Sequence, residues 1–411
     1  MALDLLTNIR KGEAFRALHN RDYRLLWIGQ LGHSASLWVE IVARSWLIWQ
    51  LTGSATLLAV VSLLRALPML LFGLLAGVAA DRFDKRKILI ICQTVTLANY
   101  VTLGVLITTG AIEVWHVLLS SFFMGTSMSF NQPTRTSLVP SLVGKDELTN
   151  AVALNSAAIN ITRVVGPGIA GLLIAPLGIG GVYFTSAGVY VAALICTFML
   201  RVPPVIARVG RTSVWADMGE TFRYISKEKT ILSLLVLALV PMVFGMPYMT
   251  LLPIFADRVL GVGESGYGLL LSASGIGALL VILLIATMRK IPRKGWFALI
   301  GTFGFGACLI AFSESTWFPL SLVLMALVGF TSTVPRVLIN TSLLEIAPPE
   351  LHGRVMSIYT LDRGLMPLGT MIVGPLADAI GAPLTLLIMG SICGLLALSM
   401  GIGITMSHRI P

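Results

Sequence analysis

The sequence predicts an all-α membrane protein: twelve transmembrane helices in two pseudo-symmetric six-helix bundles. Three observations carry that expectation. The 411 residues are 56% hydrophobic and only 12% charged, which is more apolar surface than one soluble core buries. A helix crosses a hydrocarbon layer about 30 Å thick with about 20 mostly apolar residues, each rising about 1.5 Å. The chain supplies twelve such runs, at 25–51, 55–80, 88–110, 114–133, 149–175, 178–200, 230–256, 265–288, 295–313, 317–340, 354–378 and 381–406. None alternates in the manner of a membrane β-barrel. Finally, the basic residues are sorted. Of 29 Lys and Arg, 24 lie in the amino terminus, the carboxyl tail or alternate loops near 82–87, 135–145, 201–229, 289–294 and 336–354, while the opposite loops hold only Arg258. The positive-inside rule therefore places both termini and the central loop in the cytoplasm, as an even number of spans requires. The net charge of +10 reads as a topology signal, and no nucleic-acid partner is expected.

Along the chain, residues 1–24 form a cytoplasmic amino-terminal segment. It carries Arg10, Lys11, Arg16, Arg21 and Arg24 without the apolar core of a signal peptide. Its "AFRALHNRDYR" reads as a short interfacial segment. Residues 25–200 form the N-terminal bundle, 201–229 a cytoplasmic linker with an amphipathic helix from Trp215 to Ile225, 230–406 the C-terminal bundle and 407–411 a tail. Trp27 and Trp296 anchor inner membrane edges, and Trp49, Trp115 and Trp317 outer ones. Cys92, Cys196, Cys308 and Cys393 fall inside spans without metal-ligand spacing, so packing is their expected role.

The halves resemble each other. After the fourth span comes "PTRTSLVPSLVGKDEL", with Pro133, Arg135, Ser137, Leu138, Glu147 and Leu148. After the tenth comes "PRVLINTSLLEIAPPEL", with Pro335, Arg336, Ser342, Leu343, Glu350 and Leu351. Gly166-Pro167 in the fifth span is matched by Gly374-Pro375 in the eleventh. Duplicated halves with a binding site near the midplane are the architecture of secondary transporters.

Between the second and third spans, "GVAADRFDKRK" places six charges in the seven positions from Asp81 to Lys87. Gly77, Asp81, Arg82, Lys85 and Arg86 match the pattern Gly-x-x-x-Asp-Arg-x-x-basic-basic, which resembles the signature loop of the major facilitator superfamily. Asp84 stands where many members have glycine. "LTGSATLLAVVSLLRALPMLLFGLLAGVAADRFDKRK" and "NQPTRTSLVPSLVGKDELTNAVALNSAAINITRVVGPGIAGLLI" are similar to the enterobactin-exporter-like and macrolide-efflux-like branch. The resemblance implies the major facilitator fold, with spans 1, 2, 5 and 11 lining a central cavity and spans 3, 6, 9 and 12 peripheral. It also implies that the loop is a latch joining the second span to the eleventh in the outward-open state. Two readings of the loop stand side by side: a plain positive-inside determinant, or that latch. Asp81 ends a helix, where a carboxylate opposes the dipole and calls for a cationic or helix-amino-terminal partner. Gly73 and Gly77 make a small face for a neighbouring helix.

Ionisable residues at bilayer depth cost about 2.5–3.5 kcal/mol each even on lenient scales, so their positions are informative. They are Glu40 and Arg44 in span 1, Arg65 in span 2, Arg163 in span 5, and Asp362 with Arg363 in span 11, all on spans the resemblance places around the cavity. Gln30, His33, Glu40 and Arg44 share one face of the first helix. Ser156, Asn160, Arg163 and Pro167 form a second stripe, and Thr360, Arg363 and Thr370 a third. Glu40 and Arg44, four residues apart, are either a self-neutralising ion pair or a proton site whose carboxylate responds to desolvation and to its arginine. Asp362 is the second proton-coupling candidate. His33 is the third, with a hydrogen-bonding role as its alternative. Gln30, Arg44, Arg65, Asn160, Arg163 and Arg363 are the candidate substrate-cavity residues. The excess of arginine suits an anionic or polyphenolic substrate, and equally arginines paired with backbone carbonyls.

"RVVGPGIAG" resembles the antiporter motif of span 5 through Gly166, Pro167 and Gly171, although Thr162 replaces an earlier glycine. Close helix packing and a direction-setting role both fit it. The fourth span has Phe122, Phe123 and Met124 where some drug–proton antiporters carry an arginine. Pro241, Pro247, Pro253, Pro367 and Pro375 allow spans 7 and 11 to bend. Phe244, Met246, Tyr248 and Met249 offer adaptable contact to apolar substrates, or ordinary packing.

The expected function is export of amphipathic small molecules of the drug, macrolide or siderophore class across the cytoplasmic membrane, by alternating access and proton antiport. The protein is expected to act as a monomer in the bilayer, with no metal or other cofactor and the proton gradient as driving force. An importer or lipid transporter on the same fold, and a non-transporting receptor or scaffold, are the competing readings. No nucleophile elbow, zinc-protease helix or phosphate-binding GxxxxGK[ST] loop is present, so neither enzyme chemistry nor ATP-driven pumping is expected.

Overall fold

Asn20 begins the first membrane helix by accepting hydrogen bonds from Asp22 N (3.0 Å) and Tyr23 N (3.1 Å) on its side-chain oxygen, the ordinary solution for orphan amides at a helix start. From there a computed structural model describes residues 13–202, 225, 228–288, 291–348, 351–361 and 365–407. The helices are α1 (Arg21–Thr52), α2 (Ala55–Arg82), α3 (Lys85–Thr108), α4 (Val114–Leu142), α5 and α6 (together Leu148–Met199), α7 (Lys229–Val259), α8 (Gly263–Thr287), α9 (Lys294–Ser313), α10 (Phe318–Ile346), α11 (His352–Leu361 and Met366–Ile380) and α12 (Ala382–Ser407). These are twelve membrane helices among the described residues, as the apolar runs predict. Leu148–Met199 is one 52-residue helical stretch by hydrogen bonding, but Gly178 at φ 67 and ψ 170 turns the chain between α5 and α6, a conformation open to glycine at little cost.

Helix ends differ from the sequence expectation at α4. The fourth apolar run ends at Pro133 and the sequence places Arg135 in a loop, yet α4 continues through Pro133 and Pro140 to Leu142. Proline costs less in a helix whose freed carbonyls find partners among neighbours. Arg135 is therefore helical and buried. The wide turns of α7 follow its prolines: Met246 N bonds to Pro241 O (2.7 Å) and Leu260 N to Phe255 O (2.9 Å), five residues back in each case.

The described chain divides into two compact units, one of residues 13–53, 60–202 and 263–272, the other of 54–59, 225, 228–262 and 273–407. Two short pieces group away from their neighbours in the chain. The first turn of α2 belongs with α11, and the first turns of α8 with α5. In the first unit an apolar cluster of Tyr23, Leu26, Leu89, Leu138, Leu142 and Leu154 joins α1, α3, α4 and α5. In the second, Ile231, Leu234, Leu299, Leu338, Leu343 and Tyr359 join α7, α9, α10 and α11. Leu138 and Leu343 both lie in the segments that the sequence pairs as repeats. The expected linker helix 215–225 falls outside the described residues except for Ile225, which is helical and buried in the second cluster.

The amino-terminal segment is pinned to the first unit. Residues Glu13–His19 form a short 3-10 turn. Ala17 N donates to Asn150 Oδ1 (3.1 Å), Asn20 Nδ2 to Leu142 O (2.6 Å), and Trp27 Nε1 to Leu154 O (2.9 Å). The Asn20 amide thereby satisfies a carbonyl at the end of α4, where backbone C=O groups have no partner within their own helix, and the other two contacts tie the segment to α5.

In the second unit the crossing of α8 and α10 is made by glycine. A methyl group on Gly277 would overlap the carbonyl oxygen of Ala326, and one on Gly329 that of Ser274. Small residues at such a crossing let backbones approach where no hydrophobic effect drives helices together.

Candidate functional site

Among the described residues of the first unit Glu40 is the buried acid, 1% exposed. It lies halfway along α1 on the face that also carries Gln30, His33 and Arg44, all four buried. Arg44 Nε stands 3.0 Å from Glu40 Oε1. The contact is an ion pair without hydrogen-bond alignment. The other carboxylate oxygen, Oε2, accepts a hydrogen bond from Arg65 Nη1 of α2. Arg65 keeps 12% of its side chain exposed. Arg44 Nη1 also donates to Ser121 Oγ of α4 (3.3 Å), itself anchored on Val117 O (2.8 Å).

One carboxylate thus bridges two guanidiniums from two helices. Spacing along the sequence shows the Glu40–Arg44 contact; the Arg65 contact exists only in three dimensions. α4 passes close enough to fix Arg65, since a methyl group on Gly125 would overlap the Arg65 carbonyl oxygen. Taking Glu40 from this buried cluster leaves two guanidiniums without their counter-charge, at a cost of about 3–5 kcal/mol, whereas taking either arginine leaves a neutral pair.

The remaining residues of the α1 face are held inside the same bundle. Gln30 Nε2 donates to Ser34 Oγ (2.9 Å). His33 Nδ1 shares a 2.7 Å hydrogen bond with the Tyr190 hydroxyl of α6, and Tyr190 meets Tyr100 of α3 edge to face at 5.5 Å. In α5, Asn160 Nδ2 donates to Ser156 O (2.8 Å), so its amide serves its own helix. Arg163 is half-buried. Asp362 and Arg363 lie outside the described residues, as does the side chain of Thr360; Thr370 is buried and donates to Pro367 O (2.8 Å).

Sequence reasoning missed Arg135 as an interior cation. Its Nε donates to Asn131 Oδ1 (2.9 Å) and its Nη1 reaches Leu26 O at 3.5 Å. The signal was available: Asn131, Arg135, Leu138 and Leu142 recur at spacings of three and four residues, which continues a helix face past Pro133.

In the charged loop Asp84 caps α3, accepting from Arg86 N (2.9 Å) and Lys87 N (3.3 Å), which gives its departure from glycine a physical use. Lys85 Nζ donates to Ser137 O (3.0 Å), and Arg86 Nη2 to Phe198 O in the last turn of α6. Both cations sit near helix carboxyl ends, where the dipole favours them. Arg82 is exposed, and the Asp81 side chain lies outside the described residues.

The Gly166–Gly171 stretch is a packing surface on both sides. A methyl on Gly166 would stand 2.7 Å from Trp38 Cβ of α1, and one on Gly171 2.7 Å from Glu264 O at the start of α8. Gly268 of α8 in turn sits over the carbonyl of Pro167, and Ser265 Oγ donates to Gly171 O (3.1 Å).

Comparison with known proteins covers the whole of this arrangement. The family model described as transmembrane secretion effector matches residues 13–410. The chain is similar to the multidrug efflux pump Tap of Mycolicibacterium fortuitum, 29% identical over 88% of this chain and 91% of that protein. It is also similar to the staphyloferrin A transporter of Staphylococcus aureus, 26% identical over 89% of each chain, and to macrolide efflux protein A of Streptococcus pyogenes, 25% identical over 89% of this chain and 92% of that one. Among solved structures, an inward-facing, occupied bacterial homologue of the human lysosomal transporter Spinster superposes with a TM-score of 0.76 at 15% identity, covering 93% of this chain and 96% of that chain. A D-xylose–proton symporter gives 0.69 at 16% identity, covering 92% and 96%. At these identities the structural likeness shows the fold.

Proposed function

This chain belongs to the transmembrane secretion effector family of the major facilitator superfamily and is a membrane transporter, not an enzyme; from that premise we propose that it exports amphipathic small molecules by alternating access and proton antiport. Export is supported by relatives whose names are efflux pumps or, for staphyloferrin A, a siderophore transporter, aligned over most of their length. The observation that carries proton coupling is Glu40, a buried carboxylate bridging two arginines on two helices. Protonation there exchanges a stabilised ion cluster for two opposed cations, so proton binding and helix rearrangement are energetically linked. The protein resides in the cytoplasmic membrane with both termini inside, and works as a monomer without a cofactor. The substrate is of the drug, macrolide or siderophore class.

The test is reconstitution into liposomes with an imposed pH gradient, using ethidium as a cationic probe, chloramphenicol as a neutral one and a catecholate as an anionic one. Gradient-dependent accumulation that a protonophore abolishes is the expected result. Accumulation insensitive to the gradient overturns antiport, movement in the opposite direction makes the protein an importer, and binding without movement makes it a receptor. Arg163→Ala is expected to weaken transport of the catecholate more than that of the neutral chloramphenicol. Equal losses in a folded protein would assign Arg163 a structural role.

A further inference from the structure

The carboxyl end of α11 carries a feature that neither the signature loop nor the Gly-Pro motif accounts for. Asp378, in the last turn of α11, accepts three hydrogen bonds from the amino end of α2: from Ala55 N to Oδ1 at 2.7 Å, and to Oδ2 from Thr56 N and Ser54 Oγ, each at 2.9 Å. All of these residues belong to the second unit. A carboxylate at the end of its own helix opposes that helix's dipole, whereas the start of α2 supplies unpaired amides and the favourable end of another dipole. One turn earlier, Gly374 brings the two helices together. A methyl group there would stand 2.7 Å from Ala59 Cβ and 2.9 Å from Ala55 O.

Gly374-Pro-Leu-Ala-Asp378 repeats the spacing of Gly77-Val-Ala-Ala-Asp81 at the other end of α2. Each is a glycine four residues before an aspartate, at the carboxyl end of a helix. The two differ in occupancy. Gly374 is in close contact with α2, while a methyl group on Gly77 or on Gly73 would have no neighbour within 4 Å among the described residues.

We propose that Gly374 and Asp378 are a latch holding the first turn of α2 against α11 in the state described, and that Gly77 and Asp81 are its counterpart in the opposite state of the cycle. The proposal rests on the alternating-access reading above and, for the counterpart, on the latch role that the signature loop implies. α2 is then held at one end or at the other by the same device: a glycine contact plus a carboxylate on foreign helix amides. Asp378 is a positioning residue that sets the balance of states and need not touch cargo.

The test uses the full chain in nanodiscs, with its four cysteines replaced and spin labels at Leu51 and Ile380, both exposed at this end of their helices. Electron–electron distance distributions then report the separation of α1 and α11. Asp378→Ala is expected to move the population toward the longer distance by at least about tenfold, since any one of the three hydrogen bonds to this charged group contributes about as much as a tenfold change requires. Ser54→Asp combined with Asp378→Ala restores a carboxylate cap to α2 without the bridge. That variant is expected to regain thermal stability while keeping the shifted distances. Unchanged distances in Asp378→Ala, or recovery of both properties in the double variant, would reduce Asp378 to a helix cap and overturn the proposal. Should Asp378→Ala not fold, Asp378→Asn and Ser54→Ala must show the same shift in smaller degree, and no shift in either overturns it as well. Asp81→Asn is expected to shift the distribution the opposite way. A shift with Asp378→Ala but none with Asp81→Asn overturns the pairing and leaves the α11 latch standing. These distances require no substrate, so a parent protein that moves none of the three probes would count against the transport reading alone.

Discussion

Gly329→Ala is expected to leave little folded protein, while the identical change at Gly77 leaves stability unchanged or raises it. The added methyl at Gly329 meets the backbone carbonyl of Ser274, which cannot move aside as the end of a flexible side chain would. α8 and α10 must separate, and the reciprocal contact of Gly277 with Ala326 is lost with them. Overpacking typically costs about 1–3 kcal/mol, and a backbone contact with no yielding partner belongs at or above the top of that range. At Gly77 the methyl enters open space among the described residues, and alanine in a helix interior gains about 0.5–1 kcal/mol over glycine. Thermal unfolding of the purified variants in detergent reads both. Transport separates them further: if the Gly77 face must receive another helix during the cycle, Gly77→Ala is more stable yet slower. Full transport by that variant would mean the face is never occupied.

Much of this fold was legible because apolar run length is a direct physical requirement of the bilayer. Twelve runs appear as twelve helices, and the turn between α5 and α6 falls at Gly178, the first residue of the sixth run. Helix ends were less legible, since Pro133 stops a helix in water more reliably than inside a bundle that re-satisfies its carbonyls. Arg135 was hidden by that single boundary. The site was half legible. Periodicity placed Gln30, His33, Glu40 and Arg44 on one face and paired the last two, because residues four apart on a helix are neighbours. It could not pair Glu40 with Arg65, which are joined only by the packing of α1, α2 and α4. Asp378 keeps the signature loop's spacing from Gly374, yet nothing in the sequence marks its partner. Its meaning depends on the first turn of α2, more than 320 residues away along the chain.

Glu40→Gln is expected to abolish accumulation driven by the pH gradient while leaving downhill exchange of the same probe. The amide has the shape of the protonated carboxyl and carries no charge, so a variant locked in that form can move cargo but cannot return a proton. A purely structural Glu40 leads to a different result. Its loss leaves Arg44 and Arg65 facing each other in a buried site, at about 3–5 kcal/mol, and accumulation and exchange then fall together with the amount of folded protein. Pairing Glu40→Gln with Arg44→Gln separates the two accounts, because it removes one carboxylate and one guanidinium and leaves Arg65, the more exposed cation. Comparison with each single variant gives the coupling between the two positions. If Glu40 carries the proton, the double variant folds and exchanges but still does not accumulate. If Glu40 only neutralises its neighbours, folding and gradient-driven accumulation return together. In that second outcome coupling passes to Asp362, and Asp362→Asn, alone and with Arg363→Gln, becomes the decisive pair.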